Sequence, residues 1–174
     1  MRRVRWRHLQ AALRQTEAHP ISPERCRVLI QLVSQRAPDF GAQRGYACAA
    51  LRLLRRHPDP QLWCELLGSL AAIRDPRRLR RGRSLRLVRR RLQLAEQHEL
   101  WDQALDARAN LANHWVGTDI HQAIAEAGAA LQLAEAGRAE CTAPSWRLCF
   151  LPAWCWLGET YSATTASRGP SVTS

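Results

Sequence analysis

The sequence predicts an all-α fold: antiparallel helix hairpins, repeated about every 40 residues, stacked as a short right-handed α-solenoid. Three observations predict it. The composition leans to Ala, Leu, Arg and Gln, which favour helix, while Val, Ile, Phe and Tyr are too scarce to build a sheet. Caps and prolines punctuate apolar stretches of helical period. The sequence also resembles itself at a fixed step. A chain of 174 residues has room for one domain with a sizeable core.

The first helix is expected from about Val4 to Ala18, stopping before Pro20. Ser22 caps the second, with Pro23 in its first position and Glu24 in its first turn, and Val28, Leu29, Leu32 and Val33 form its apolar face. Asp39 opens a third helix carrying Ala47, Leu51 and Leu54, which ends at His57-Pro58. Asp59-Pro60 repeats the cap-plus-proline start, and Leu62, Leu66, Leu70 and Ile73 follow as far as Asp75-Pro76. A fifth helix, from about Ser84 to His98, shows Leu85, Val88, Leu92 and Ala95. A sixth, from about Trp101 to Val116, shows Leu105, Ala109, Ala112 and Trp115, and Gly117 closes it. Thr118 or Asp119 caps the seventh, which carries Ile120, Ala123, Ala127, Ala130, Leu131 and Ala134 and ends at Gly137. The short connections make neighbouring helices antiparallel.

The repeat is read from two pairs of copies. Ala11-Ala12-Leu13-Arg14 returns as Ala49-Ala50-Leu51-Arg52, each followed at one offset by His-Pro, at His19-Pro20 and His57-Pro58. Leu92-Gln93-Leu94-Ala95-Glu96 returns unchanged as Leu131-Gln132-Leu133-Ala134-Glu135. Leu13, Leu51, Leu92 and Leu131 thus mark one position at steps of 38, 41 and 39, and they are expected in equivalent buried places. Such a period suits helix pairs, because one pair cannot bury its apolar face alone.

Over residues 101–137, Asn110-Leu111-Ala112, Trp115, Gly117, Ala123 and Ala130-Leu131-Gln132-Leu133-Ala134 resemble a tetratricopeptide unit. Leu111, Ala112 and Trp115 match the large–small–aromatic set of that family's first helix, and Ala123 and Ala130 the small residues of its second. The unit departs in a turn one residue short, in Ala127 where an aromatic is usual, in a missing closing proline and in its longer period. That combination resembles the tetratricopeptide-like regions of large bacterial signal-transduction ATPases and of LuxR-type (MalT-like) or SARP-type transcriptional activators. The resemblance is better over residues 85–137 than over residues 1–84. It implies a non-catalytic scaffold that binds a protein segment or effector and regulates an attached module, the chain being a fragment or a stand-alone relative. No G-x-x-x-x-G-K-[ST] phosphate loop and no helix-turn-helix reader accompanies the repeats.

Charge is unevenly spread. All 26 basic residues are Arg. Residues 1–91 carry a net +16, residues 92–140 a net −6 and the remainder +1. A basic half beside an acidic half suits stacking on itself or on a partner. Arg enrichment fits phosphate or carboxylate recognition, but its spread over several expected helices fits better a GC-rich coding bias. The six cysteines form no C-x-x-C pair and no zinc spacing. With no apolar leader after Arg2, Arg3, Arg5 and Arg7, the expectation is a cytoplasmic chain with reduced thiols. Cys26, Cys48 and Cys64 read as small core residues. Leu148–Leu157, broken by Pro152, is too short to span a bilayer, so no membrane is expected.

Two candidate surfaces follow. On the scaffold reading, Asn110, Asn113 and His114 line a partner-binding groove. On the alternative, a basic helical nucleic-acid module, Arg77, Arg78, Arg80, Arg81 and Arg83 grip phosphates, within a run of nine Arg that continues through Arg86, Arg89, Arg90 and Arg91. That run also reads as a solvated loop and the wet face of a helix, and no aromatic interleaves with it to stack bases. His114 and His121 beside Asn113, Asp119 and Glu126 read either as a metal or proton-relay site or as polar residues around a turn. No G-x-S-x-G, H-E-x-x-H or Gly-rich loop is present, so no catalytic residue, cofactor or metal is assigned. Trp6, Trp63, Trp101 and Trp115 are expected to anchor packing. Residues 1–140 form the repeat domain. The Cys- and Trp-rich segment 141–159 reads as an irregular capping helix, an apolar partner surface or a shifted reading frame, and residues 160–174 as a disordered tail.

Overall fold

The computed structural model describes residues 2–35, 40–73 and 81–136. Among them every regular element is helical: α1 (Arg2–Gln15), α2 (Pro23–Ser34), α3 (Phe40–Arg56), α4 (Pro60–Ala72), α5 (Arg81–Gln97), α6 (Trp101–Trp115) and α7 (Ile120–Glu135). Asp39, Asp75-Pro76, Gly137 and residues 141–174, whose roles are expected from sequence, lie outside the described residues. The chain divides into two compact units, one ending at Ala107 and one beginning at Arg108, within α6.

Caps set three helix starts. The Ser22 hydroxyl accepts the Arg25 N–H at 3.1 Å, with Pro23 in the first turn. Asp59 accepts the Leu62 N–H at 3.0 Å, with Pro60 behind it. Asp119 rather than Thr118 caps α7, accepting the Gln122 N–H at 3.1 Å, while the Thr118 hydroxyl turns back to the Trp115 carbonyl. Each such cap contributes about 1 kcal/mol.

Two boundaries differ from expectation. α1 stops at Gln15, and Thr16–Ala18 tighten into a 3-10 turn in which the Thr16 hydroxyl donates to the Leu13 carbonyl at 2.8 Å. A hydroxyl that takes a terminal carbonyl competes with another helical turn. α5 begins at Arg81 rather than Ser84, because the Ser84 hydroxyl donates across to the Ala71 carbonyl of α4 at 3.0 Å instead of capping its own helix. At the other end of α5, Glu99 adopts a left-handed φ of 55°, and the Leu100 N–H returns to the Ala95 carbonyl at 2.9 Å.

In the first unit α2 packs against α1, α3 and α4, and α4 packs against α3 and α5. The core joins Cys26, Leu29 and Ile30 of α2 to Ala50 and Leu54 of α3 and Leu62 and Leu66 of α4. Each large aliphatic side chain buried there stabilises by roughly 1.5–3 kcal/mol. Trp6 meets Tyr46 edge to face at 6.0 Å, joining α1 to α3. In the second unit Leu111 and Ala112 of α6 and Ala123, Ala127 and Ala130 of α7 are buried, and Arg108 pairs with Glu126 at 3.1 Å.

The burial pattern does not follow the register that the repeated leucines suggest. Leu13, Leu51 and Leu92 are half-buried and Leu131 is 39% exposed, so they are not the equivalent buried places. Those lie one and four residues earlier: Ala50, Arg91 and Ala130, with Ala47, Val88 and Ala127, are all buried. In α1 the matching Ala12 and Leu9 are half-buried. Small residues on the contact line let helices close, and a Leu one position on lies about 100° further round, at the edge of the seam. The same geometry corrects Cys48, three residues before Leu51, which is exposed while Cys26 and Cys64 are buried.

Candidate functional site

Asn110, Asn113 and His114 share one face of α6, at three- and four-residue spacing. Asn110 and Asn113 are exposed, whereas His114 is half-buried with its ring edge-on to Trp115 at 5.3 Å. His121 is exposed at the start of α7. Among the described residues no three His, Cys, Asp or Glu gather where they could share a metal ion. No helix among them is long and apolar enough to cross a membrane.

The arginine run splits in two. Arg77, Arg78 and Arg80 lie outside the described residues, and Arg81 opens α5. Arg83, Arg86, Arg89 and Arg90 are exposed, and Arg83, Arg86 and Arg90 line one stripe of α5. Arg90 donates to the Gln93 amide oxygen at 2.7 Å. Arg91 instead turns inward, with only 9% of its side chain exposed, into the seat that α3 and α7 give to Ala50 and Ala130. Its guanidinium pairs with Asp106 and donates to the Gln103 oxygen at 2.5 Å, both on α6. Gly68 of α4 leaves the space, since a Cβ there would lie 3.0 Å from Nη1 of Arg91. The Cys64 thiol donates to the Arg91 carbonyl at 3.8 Å. The bulk of Arg91 in an alanine seat is legible in the repeat alignment once the buried register is known.

Sequence reasoning gave no sign of a cavity of about 430 Å³ in the first unit, where the α1–α2 connection, the last turn of α3 and the first turns of α2 and α4 converge. Cys26, Leu54 and Leu62, all buried, form its apolar floor, and Ile21, Arg56 and His57 stand at its rim. Ile21 is 51% exposed. Burial pushes the Cys26 thiol up to about 11, with the carboxylates of Asp59 and Glu65 adding to the rise against Arg27. The floor therefore disfavours negative charge. Arg56 has no carboxylate partner among the described residues. The signal available from sequence was the paired His-Pro that ends α1 and α3, which brings two connections to one end of the hairpins.

Comparison with protein-family models, curated proteins and solved structures found no match to this chain.

Proposed function

We propose that the chain is a non-catalytic interaction scaffold, a tetratricopeptide-like stack of helix hairpins that binds a protein segment. The supporting observation is the recurrence of buried seats in alternate helices, Ala47 and Ala50, then Val88 and Arg91, then Ala127 and Ala130. The packing of α2 on α4 as well as on α3 also suits a layered array. A right-handed solenoid, a cytoplasmic setting and a role beside a bacterial transcriptional regulator or signalling ATPase extend this reading on resemblance alone. On it, Asn110, Asn113 and His114 are polar contacts for the bound segment.

The test is selection from a random peptide library against the full chain, followed by titration of the winners. Reproducible ligands whose affinity falls on Asn113→Ala or His114→Ala support the groove on α6. Failure to recover any peptide ligand removes the scaffold reading.

The exposed stripe of Arg83, Arg86 and Arg90 favours one second reading, binding to nucleic-acid phosphates. Duplex DNA and single-stranded RNA titrated across salt would then show a steep slope, flattened in Arg83→Gln/Arg86→Gln. Absence of binding at low salt eliminates it.

A further inference from the structure

We propose that the exposed apolar stripe of α7 is a docking surface for the chain's own residues 146–157, which cover it and close that face to outside partners. This does not rest on the scaffold reading. It needs only α7 and the sequence that follows it.

The stripe asks for an occupant. Of the five large apolar side chains exposed among the described residues, four fall close together: Val116, just past the end of α6, and Ile120, Ile124 and Leu131 on α7. Ile120, Ile124, Gly128 and Leu131 follow one another at four- and three-residue steps, so they share a face. That face lies roughly a quarter-turn round the helix from the buried line of Ala123, Ala127 and Ala130. Apolar side chains gathered in this way mark a contact surface more often than ones scattered singly. Gly128 makes the stripe a seat rather than a ridge. It is exposed, and a Cβ added there would meet nothing within 4 Å. Glycine in mid-helix lowers stability against Ala, and no packed neighbour requires it here. Between Ile124 and Leu131 it leaves a notch through which a large side chain reaches the helix backbone.

The sequence after α7 supplies an occupant of matching chemistry. Residues 146–157 hold Trp146, Trp154 and Trp156, three of the chain's seven Trp, and Phe150, one of its two Phe, with Arg147 their one charged residue. Large rings carry the apolar area that a notch between Ile124 and Leu131 can take up. The reach is sufficient. Ten residues, 136–145, separate the end of α7 from Trp146 and extend to about 33 Å, whereas Ile120 to Leu131 spans about 16 Å of helix. A segment tethered this closely acts at an effective concentration on the order of millimolar, ahead of a second copy or a free peptide in dilute solution. An outside partner of α7 therefore has to displace residues 146–157 first.

The experiment uses the full chain carrying Ile124→Cys, treated when dilute with a short bis-maleimide and read by peptide mass spectrometry and a denaturing gel. Cys149 and Cys155 are natural reporters in the segment, and Cys48, exposed on α3, is the reference. Expected is a link from position 124 to Cys149 or Cys155 within one chain, in about tenfold or greater excess over any link to Cys48. Hydrogen–deuterium exchange of peptides covering 146–157 should quicken about tenfold in Gly128→Leu, which fills the notch, and in Ile124→Asp, which charges its edge. It should stay unchanged in Arg83→Gln on α5. Ile124 and Gly128 are exposed, so these variants should keep the helical circular dichroism of the parent. Links that join two chains give the stripe to a second copy and overturn the proposal. Equal yields to Cys48, or exchange indifferent to both α7 variants, show that residues 146–157 do not sit on α7 and overturn it too. A selected peptide that protects α7 without quickening exchange over 146–157 gives the stripe to an outside partner, which sinks the proposal while the scaffold reading stands.

Discussion

Replacing Gly68 by Ala should have opposite signs in two backgrounds. In the parent chain the new methyl group would stand 3.0 Å from Nη1 and 3.1 Å from Cζ of Arg91. That guanidinium cannot swing aside cheaply, because Asp106 and Gln103 hold its two terminal nitrogens. Overpacking of this kind costs about 1–3 kcal/mol, against which the better helix propensity of Ala returns about 1 kcal/mol. The net expectation is a loss of up to about 2 kcal/mol. With Arg91→Ala in place, the obstruction is gone and only the propensity gain of about 1 kcal/mol remains. The coupling between the two positions is then about 1–3 kcal/mol, the size found for residues in direct contact. Urea unfolding of the four chains, followed by far-ultraviolet circular dichroism, measures it. Effects that add to within about 0.5 kcal/mol would show that Gly68 does not make room for Arg91.

Asp106→Asn should destabilise by about 2 kcal/mol in the same assay, less than the loss of a fully buried partner, because the Asp106 side chain is 55% exposed and water can reach the stranded cation. Asp59→Ala should cost about 1 kcal/mol by leaving the first turn of α4 without its cap, a shift readable in the urea midpoint. Site-resolved mass spectrometry after mild alkylation of the native chain should label Cys48 well before Cys26 and Cys64, since both buried thiols have raised pKa values and Cys48 is exposed. Folded Cys26 keeps its proton up to about pH 11, whereas an unfolded thiol loses it near its ordinary value of 9.0. Stability from this group is thus intact below pH 9 and falls as pH rises towards 11, and Cys26→Ala should remove that part of the alkaline loss.

Helix order, and most boundaries to within a few residues, were legible because caps and prolines act locally. Ser22-Pro23, Asp59-Pro60 and Asp119 each announce a start, and each makes the expected bond. The spacing of Leu13, Leu51, Leu92 and Leu131 did not foretell which residues are buried. Leu is the conspicuous letter of each copy, yet the contact line runs through Ala50, Arg91 and Ala130, whose small or exceptional side chains decide how closely helices meet. Arg91 itself looked like one more residue of a basic run, because nothing local distinguishes it from Arg89 or Arg90. Its partners on α6 and the gap at Gly68 come together only in three dimensions. The cavity escaped notice for a similar reason: Ile21, Arg56 and Leu62 belong to three segments with no shared pattern. Asn110, Asn113 and His114 share a face of α6 because helical spacing places them there, and that spacing says nothing of a bound partner.

The turn that joins α5 to α6 is short and conformationally committed, with Glu99 held left-handed and Leu100 bonded back to Ala95. Its length therefore acts as a phase setting. One residue added or removed would rotate the start of α6 by about 100° and carry Asp106 and Gln103 away from the guanidinium they receive. A single-codon insertion here would therefore do more harm than most side-chain changes.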